Sequence, residues 1–134
     1  MSAQQEPTFL PLTVAATSSP ERDAEGVRRC AVEADRAAAR CWTALLGGCQ
    51  SSERRALPLK LRALADATSS YAGARWWVGR GAAHRRKVAE AQLRINEAVR
   101  EGDGAEFAEA FVGYDQAIAT AVVSVPGRLE SPTP

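Results

Sequence analysis

Apolar residues recur every three or four positions along most of the chain, which is the spacing of one face of an α-helix. The clearest stripe consists of Val27, Ala31, Ala34, Ala38, Cys41 and Leu45. Similar spacing covers residues 57–72, 83–101 and 104–125. The pattern therefore predicts an all-α fold. Helices are expected over 20–46, 83–101 and 104–125, and residues 57–72 are expected to be helical as well.

The middle of the chain leaves the number of helices open. A helix that starts near Ser52 contains Pro58 beyond its first turn, so it either kinks there or begins near Leu57. The apolar pattern weakens at Gly73 and stops at residues 79–81. We predict an antiparallel bundle of four helices, or of three if residues 57–101 form one bent helix.

Glycine and capping residues mark the start of the last helix. Gly102 suits the left-handed position that follows a helix, and Asp103 with Glu106 forms a variant of the capping box. At the first helix, Ser19 is the predicted N-cap and Pro20 the first helical residue, a position that proline favours. These ends divide the chain into a bundle domain over 20–125 and two terminal segments.

The two terminal segments lack a helical pattern. Residues 1–19 contain Pro7 and Pro11 and are predicted to be an extended or disordered arm. The arm has one apolar patch, residues 9–12, which could lie in a groove of its own fold or of a partner. Residues 126–134 begin with Pro-Gly, a helix stop, and are predicted to be a disordered tail.

The last predicted helix is apolar on nearly all sides. Between Glu109 and Arg128 only Asp115 is charged. Such a helix must be covered on more than one side, either at the centre of a bundle or in an oligomer interface. The candidate protein-interface residues on this helix are Phe107, Phe111, Tyr114, Ile118 and Val122.

Composition favours a helical protein with few large core residues. Alanine supplies 27 of the 134 residues, and the net charge is +1. A thin core gains stability from close helix contacts or from burial in an oligomer, so we expect a homo-oligomer, with a dimer favoured. Arginine outnumbers lysine 15 to 2, which is typical of a GC-rich bacterial genome.

No residue pattern indicates catalysis, a cofactor or a metal. The three cysteines, Cys30, Cys41 and Cys49, lack metal-ligand spacing, and the single histidine, His84, has no nucleophile beside it. The start of the chain has no secretory pattern, and no apolar run is long enough for a membrane span. We therefore expect a non-enzymatic, cytoplasmic protein with reduced cysteines, no cofactor and no membrane contact.

A basic and aromatic segment is the strongest local feature. Between Arg75 and Arg100 there are seven basic and two acidic residues, while residues 101–116 hold five carboxylates and no base. If the last two helices form a hairpin, these carboxylates can neutralise the basic residues. The candidate anion or nucleic-acid site consists of Arg75, Trp76, Trp77, Arg80, Arg85, Arg86 and Lys87. Because adjacent helical residues point about 100° apart, one tryptophan is expected in the core and the other outside.

Three functions follow from these features. The first is a protein-interaction module, an adaptor or regulator that self-associates through the last helix and binds a protein partner still to be identified. The second is a nucleic-acid-binding accessory protein that uses the basic segment. The third is a small-molecule-binding bundle with Trp42, Tyr71 and Trp76 around an internal pocket.

Overall fold

The computed structural model describes residues 8–19, 23–47 and 52–125, and within these ranges all regular structure is helical. The fold is therefore an all-α helical bundle, as the apolar spacing predicted. Four helices are long and two are short. In chain order they are α1 (Pro11–Ala16), α2 (Glu25–Gly47), α3 (Ser52–Ala72), α4 (Ala74–Val78), α5 (Ala82–Glu101) and α6 (Gly104–Ser124).

The long helices pack as two antiparallel pairs. In the first pair, α2 lies against α3, and Glu33 on α2 reaches Lys60 on α3 at 3.2 Å. In the second pair, α5 lies against α6, and Arg94 on α5 reaches Glu106 on α6 at 2.7 Å. The short helix α1 lies on α6 and α2, while α4 contacts α3 and α5.

Small and large side chains divide the core between the helices. The stripe on α2 contributes mainly alanine, including the fully buried Ala31, Ala34 and Ala38. Large buried side chains come from the other long helices, among them Leu57, Leu61, Leu64, Ile95, Phe107, Phe111, Tyr114 and Ile118. Because α2 presents short side chains, its backbone can approach the large residues of its neighbours closely.

The predicted boundary between the last two helices is confirmed. Gly102 has φ 68°, a left-handed conformation that glycine adopts without steric cost. The Oδ1 atom of Asp103 accepts a hydrogen bond from the backbone N–H of Glu106 at 3.0 Å, which caps α6.

The middle of the chain contains a break, so residues 57–101 are not one bent helix. Helix α3 passes through Pro58 and ends before Gly73, whose φ is 96°. The short α4 follows, and residues 79–81 separate it from α5. At the start of the bundle, α2 begins at Glu25 and not at the predicted residue 20. Residues 20–22, which belong to the predicted helix over 20–46, lie outside the described ranges.

The prediction of an extended or disordered arm is wrong for residues 11–16, which form α1. Two physical causes account for this helix. Pro11 occupies the first helical position, where its fixed φ favours a helix and its missing N–H costs nothing. The following amides donate to the buried carboxylate of Asp115 on α6, so a distant residue acts as the cap. Residues 1–7 and 126–134 lie outside the described ranges.

Candidate interaction site

The five residues predicted to form a protein interface are buried inside the chain itself. Phe107, Phe111, Tyr114, Ile118 and Val122 are each at most 1% exposed. They are therefore core residues and cannot meet a partner without unfolding, which corrects their assignment as a contact surface. The prediction that something must cover α6 holds, but the cover comes from α2, α3, α5 and the N-terminal residues of the same chain.

Two carboxylates of the bundle hold the N-terminal segment, defined here as residues 8–18. Oδ1 of Asp35 on α2 accepts from the backbone N–H groups of Phe9 at 2.6 Å and Leu10 at 3.0 Å. The carboxylate of Asp115 accepts from Leu12 N–H at 3.0 Å and from Thr13 N–H at 2.8 Å. The otherwise unpaired amides at the start of α1 thus find charged acceptors, which give stronger hydrogen bonds than neutral ones.

An aromatic cluster anchors the same segment. The ring of Phe9 lies 5.8 Å from Trp42, 5.5 Å from Phe107 and 5.2 Å from Phe111, measured between ring centroids. These separations are typical of favourable tilted and edge-to-face contacts. Leu10 is fully buried in the same core. The N-terminal segment is therefore an integral part of the packing around α6.

The junction of α1 and α6 leaves apolar side chains exposed. Leu12 on α1 is 48% exposed and Val112 on α6 is 59% exposed. Between them runs a groove of about 320 Å³ lined by Thr8, Phe9, Pro11, Leu12, Ala108, Phe111, Val112 and Asp115. This apolar patch and its groove are called the α1–α6 face below. Apolar pockets that accept a side chain from a partner are common at the centres of protein interfaces.

The two tryptophans of the basic segment occupy different environments, as their adjacent positions predicted. Trp77 is 7% exposed and belongs to the core, while Trp76 is partly buried. The Trp76 ring stacks on the His84 imidazole with centroids 5.9 Å apart and planes 15° apart. A Cβ atom on Gly81 would lie only 2.5 Å from the Trp76 ring, so the backbone of Gly81 covers the indole closely. Neither indole is a free platform for a nucleic-acid base.

The basic side chains themselves are more accessible. Arg75, Arg80, Arg86 and Lys87 are exposed, and Arg85 is partly buried. The predicted neutralisation by the carboxylates of 101–116 is limited. Among the described residues, one ion pair joins α5 and α6, between Arg94 and Glu106. The basic segment therefore keeps most of its positive charge at the surface.

The aromatic residues of the predicted internal pocket have separate neighbours. Trp42 packs on Phe9 and Phe107, and Trp76 packs on His84. Tyr71 lines a shallow groove of about 300 Å³ together with residues 23, 24, 26, 27, 67 and 70. These neighbours lend no support to one pocket formed by all three aromatic side chains.

The described residues hold one strongly perturbed titratable group. Burial, and secondly the nearby charge of Asp66, raise the pKa of the Tyr114 phenol well above its usual range. This phenol donates a hydrogen bond of 2.8 Å to the Leu61 carbonyl of α3, so it serves packing. Within residues 8–19, 23–47 and 52–125 no cluster of ligands suits a metal ion. Cys30 is partly buried, Cys41 is buried, and Cys49 lies outside these ranges.

Sequence analysis missed the two carboxylates that hold the N-terminal segment. A signal for one of them was present, because Asp115 is the only charge in the apolar part of α6. A charge in such a helix requires donors from elsewhere in the chain. Asp35 gave no comparable signal, since it lies among other charged residues of α2.

None of the described helices is long and apolar enough to cross a lipid bilayer. Comparison of the chain with known protein families, with curated proteins and with solved structures finds no match. The geometry of the described residues is therefore the basis for any functional proposal.

Proposed function

We propose that this protein is a non-enzymatic helical interaction module that self-associates through the α1–α6 face. The observation that carries the proposal is the pair of exposed apolar side chains, Leu12 and Val112, on either side of an apolar groove. Water contact with such a patch is unfavourable by roughly 25 cal/mol for each Å² of apolar surface. A partner that covers the face removes this cost.

A second copy of the chain suits this face because the exposed side chain of Val112 lies beside the groove. A two-fold axis through the face can place Val112 of each copy over the groove of the other. An interface of this type uses the same patch on both copies, and it is the commonest arrangement among homodimers. Phe9 and Phe111 form part of the groove, so an incoming side chain meets aromatic surface.

Analytical ultracentrifugation of two matched variants tests the proposal. We expect the wild-type protein to be a dimer at micromolar concentration and Val112→Asp to be a monomer, because a dimer would bury the new carboxylate. Val78→Asp is the control: Val78 is 62% exposed and lies on α4, which packs against α3 and α5. It should remain a dimer.

Two results would contradict self-association through this face. One is a wild-type protein that is monomeric throughout the micromolar range. The other is a wild-type dimer that Val112→Asp and Val78→Asp weaken equally, since this outcome places the contact elsewhere. Circular dichroism of both variants establishes that each remains folded before the comparison is made.

A further inference from the structure

A second groove, larger than the one on the α1–α6 face, runs along the outside of the α5–α6 pair and reaches Leu12 of α1. Its volume is about 510 Å³, within the range of pockets that bind small molecules. Small residues on both helices create the space: Ala91 on α5 faces Gly113 and Ala117 on α6. A Cβ atom at Gly113 would meet nothing within 4 Å, so this position opens directly into the groove.

Hydrogen-bond donors line both sides of this groove. On α5, His84, Lys87 and Arg94 recur at helical spacing and therefore share one face. On α6, Gln116 and Thr120 line the opposite wall. Ammonium and guanidinium groups are donors without acceptor capacity, and the amide and hydroxyl groups add further donors.

One cation of the groove is available to an anionic ligand. Among the lining residues Lys87 and Arg94 are cationic and Glu90 is the single carboxylate. Arg94 is already paired with Glu106 at 2.7 Å, so Lys87 is the cation that an anionic ligand would meet. In the described part of the chain Lys87 forms no ion pair.

We infer that the groove between α5 and α6 binds a small organic anion, a phosphate ester or a carboxylate. Lys87 neutralises the anionic group, Gln116 and Thr120 donate hydrogen bonds, and the apolar body of the ligand lies on Ala91 and Ala117. A small ligand fits better than nucleic acid for two reasons. The donors line a concave cleft, and the tryptophans that would stack on bases are buried or covered by His84.

Proton NMR at constant pH provides a direct test, because His84 is the only histidine in the chain. Its imidazole C–H resonances report on the groove without further assignment. The probes are inorganic pyrophosphate and citrate, which separate the phosphate source from the carboxylate source. We expect at least one probe to shift the His84 resonances saturably at millimolar concentration or below.

Three variants locate the binding. Lys87→Ala should weaken the affinity for the active probe about tenfold, the loss of one charge-assisted hydrogen bond. Gly113→Leu should abolish binding, because the new side chain would occupy the groove from a position where a Cβ atom meets nothing within 4 Å. Arg86→Ala is the matched control: it removes the same charge from the same helix at an exposed position that does not line the groove. The affinity of Arg86→Ala for the active probe should equal that of the wild type.

Three outcomes would overturn the inference. The first is the absence of a saturable shift with either probe. The second is an equal loss of affinity in Lys87→Ala and Arg86→Ala, which indicates diffuse attraction to a basic surface. The third is a single-stranded oligonucleotide that binds while Gly113→Leu leaves its affinity unchanged, since the basic surface and not the groove is then the site.

Discussion

Replacing Asp115 with alanine tests whether the carboxylates of the bundle hold α1 in place. Asp115 is 3% exposed and accepts from two amides of α1. Leu12 is partly exposed, so water can replace the acceptor for its N–H. Thr13 is fully buried, so the alanine variant leaves its N–H without a partner.

The magnitude follows from these two amides. A hydrogen bond to a charged acceptor contributes about 1.5–3 kcal/mol, and an unpaired buried donor costs about 1–3 kcal/mol. Removal of the buried carboxylate recovers part of its desolvation cost, which lowers the sum. We expect Asp115→Ala to reduce the free energy of unfolding by about 2–3 kcal/mol. Asp115→Asn keeps one acceptor oxygen and should lose about half as much.

Urea denaturation measures both variants, and hydrogen exchange at Thr13 shows whether the loss originates in α1. Glu109→Ala is the control, because Glu109 is exposed on the same helix and its replacement should change stability by no more than about 0.5 kcal/mol. The explanation fails if Asp115→Ala behaves like this control, or if Thr13 keeps its wild-type protection against exchange.

Two further predictions concern residues that pack the bundle. Gly113→Ala should stabilise the protein by about 0.5–1 kcal/mol, because alanine favours a helix over glycine and its Cβ atom meets no other atom. Gly81→Ala should destabilise the protein, because its Cβ atom would lie 2.5 Å from the Trp76 ring. Thermal denaturation of the two variants should show these opposite effects. The raised pKa of Tyr114 means that the unfolded chain releases this proton at a pH where the folded chain retains it. The free energy of unfolding should therefore fall as the pH rises above about 10, the usual pKa of tyrosine. In an alkaline denaturation series, Tyr114→Phe should remove this component of the pH dependence. At neutral pH the same variant should cost about 1 kcal/mol, because the hydrogen bond to Leu61 is lost.

The long helices could be predicted because their causes are local. The observed α5 and α6 differ from the predicted ranges 83–101 and 104–125 by one residue at one end each. Apolar spacing, the left-handed Gly102 and the Asp103 cap all lie within a few residues of the boundary that they determine. Such features are readable from a short window of sequence.

Helix α1 could not be predicted in the same way. Its six residues are too few for a stable isolated helix, and Pro7 and Pro11 argue against a helical pattern in residues 1–19. Its cap is a side chain 103 positions away, on a helix whose orientation depends on the rest of the bundle. Local propensity therefore indicated an arm, and tertiary contacts overrode it.

The interface hypothesis failed for a related reason. Sequence analysis established that α6 needs cover, but an apolar surface does not specify what covers it. The lone charge in that surface is more informative, because a buried carboxylate must be matched by donors. The unpaired amides at the start of a helix are donors of this kind, and Pro11 marks such a start within the most apolar patch of the N-terminal segment. Asp115 and Pro11 considered together would have pointed to α1 lying on α6, where Leu12 and Val112 are exposed and the aromatic residues of α6 are buried.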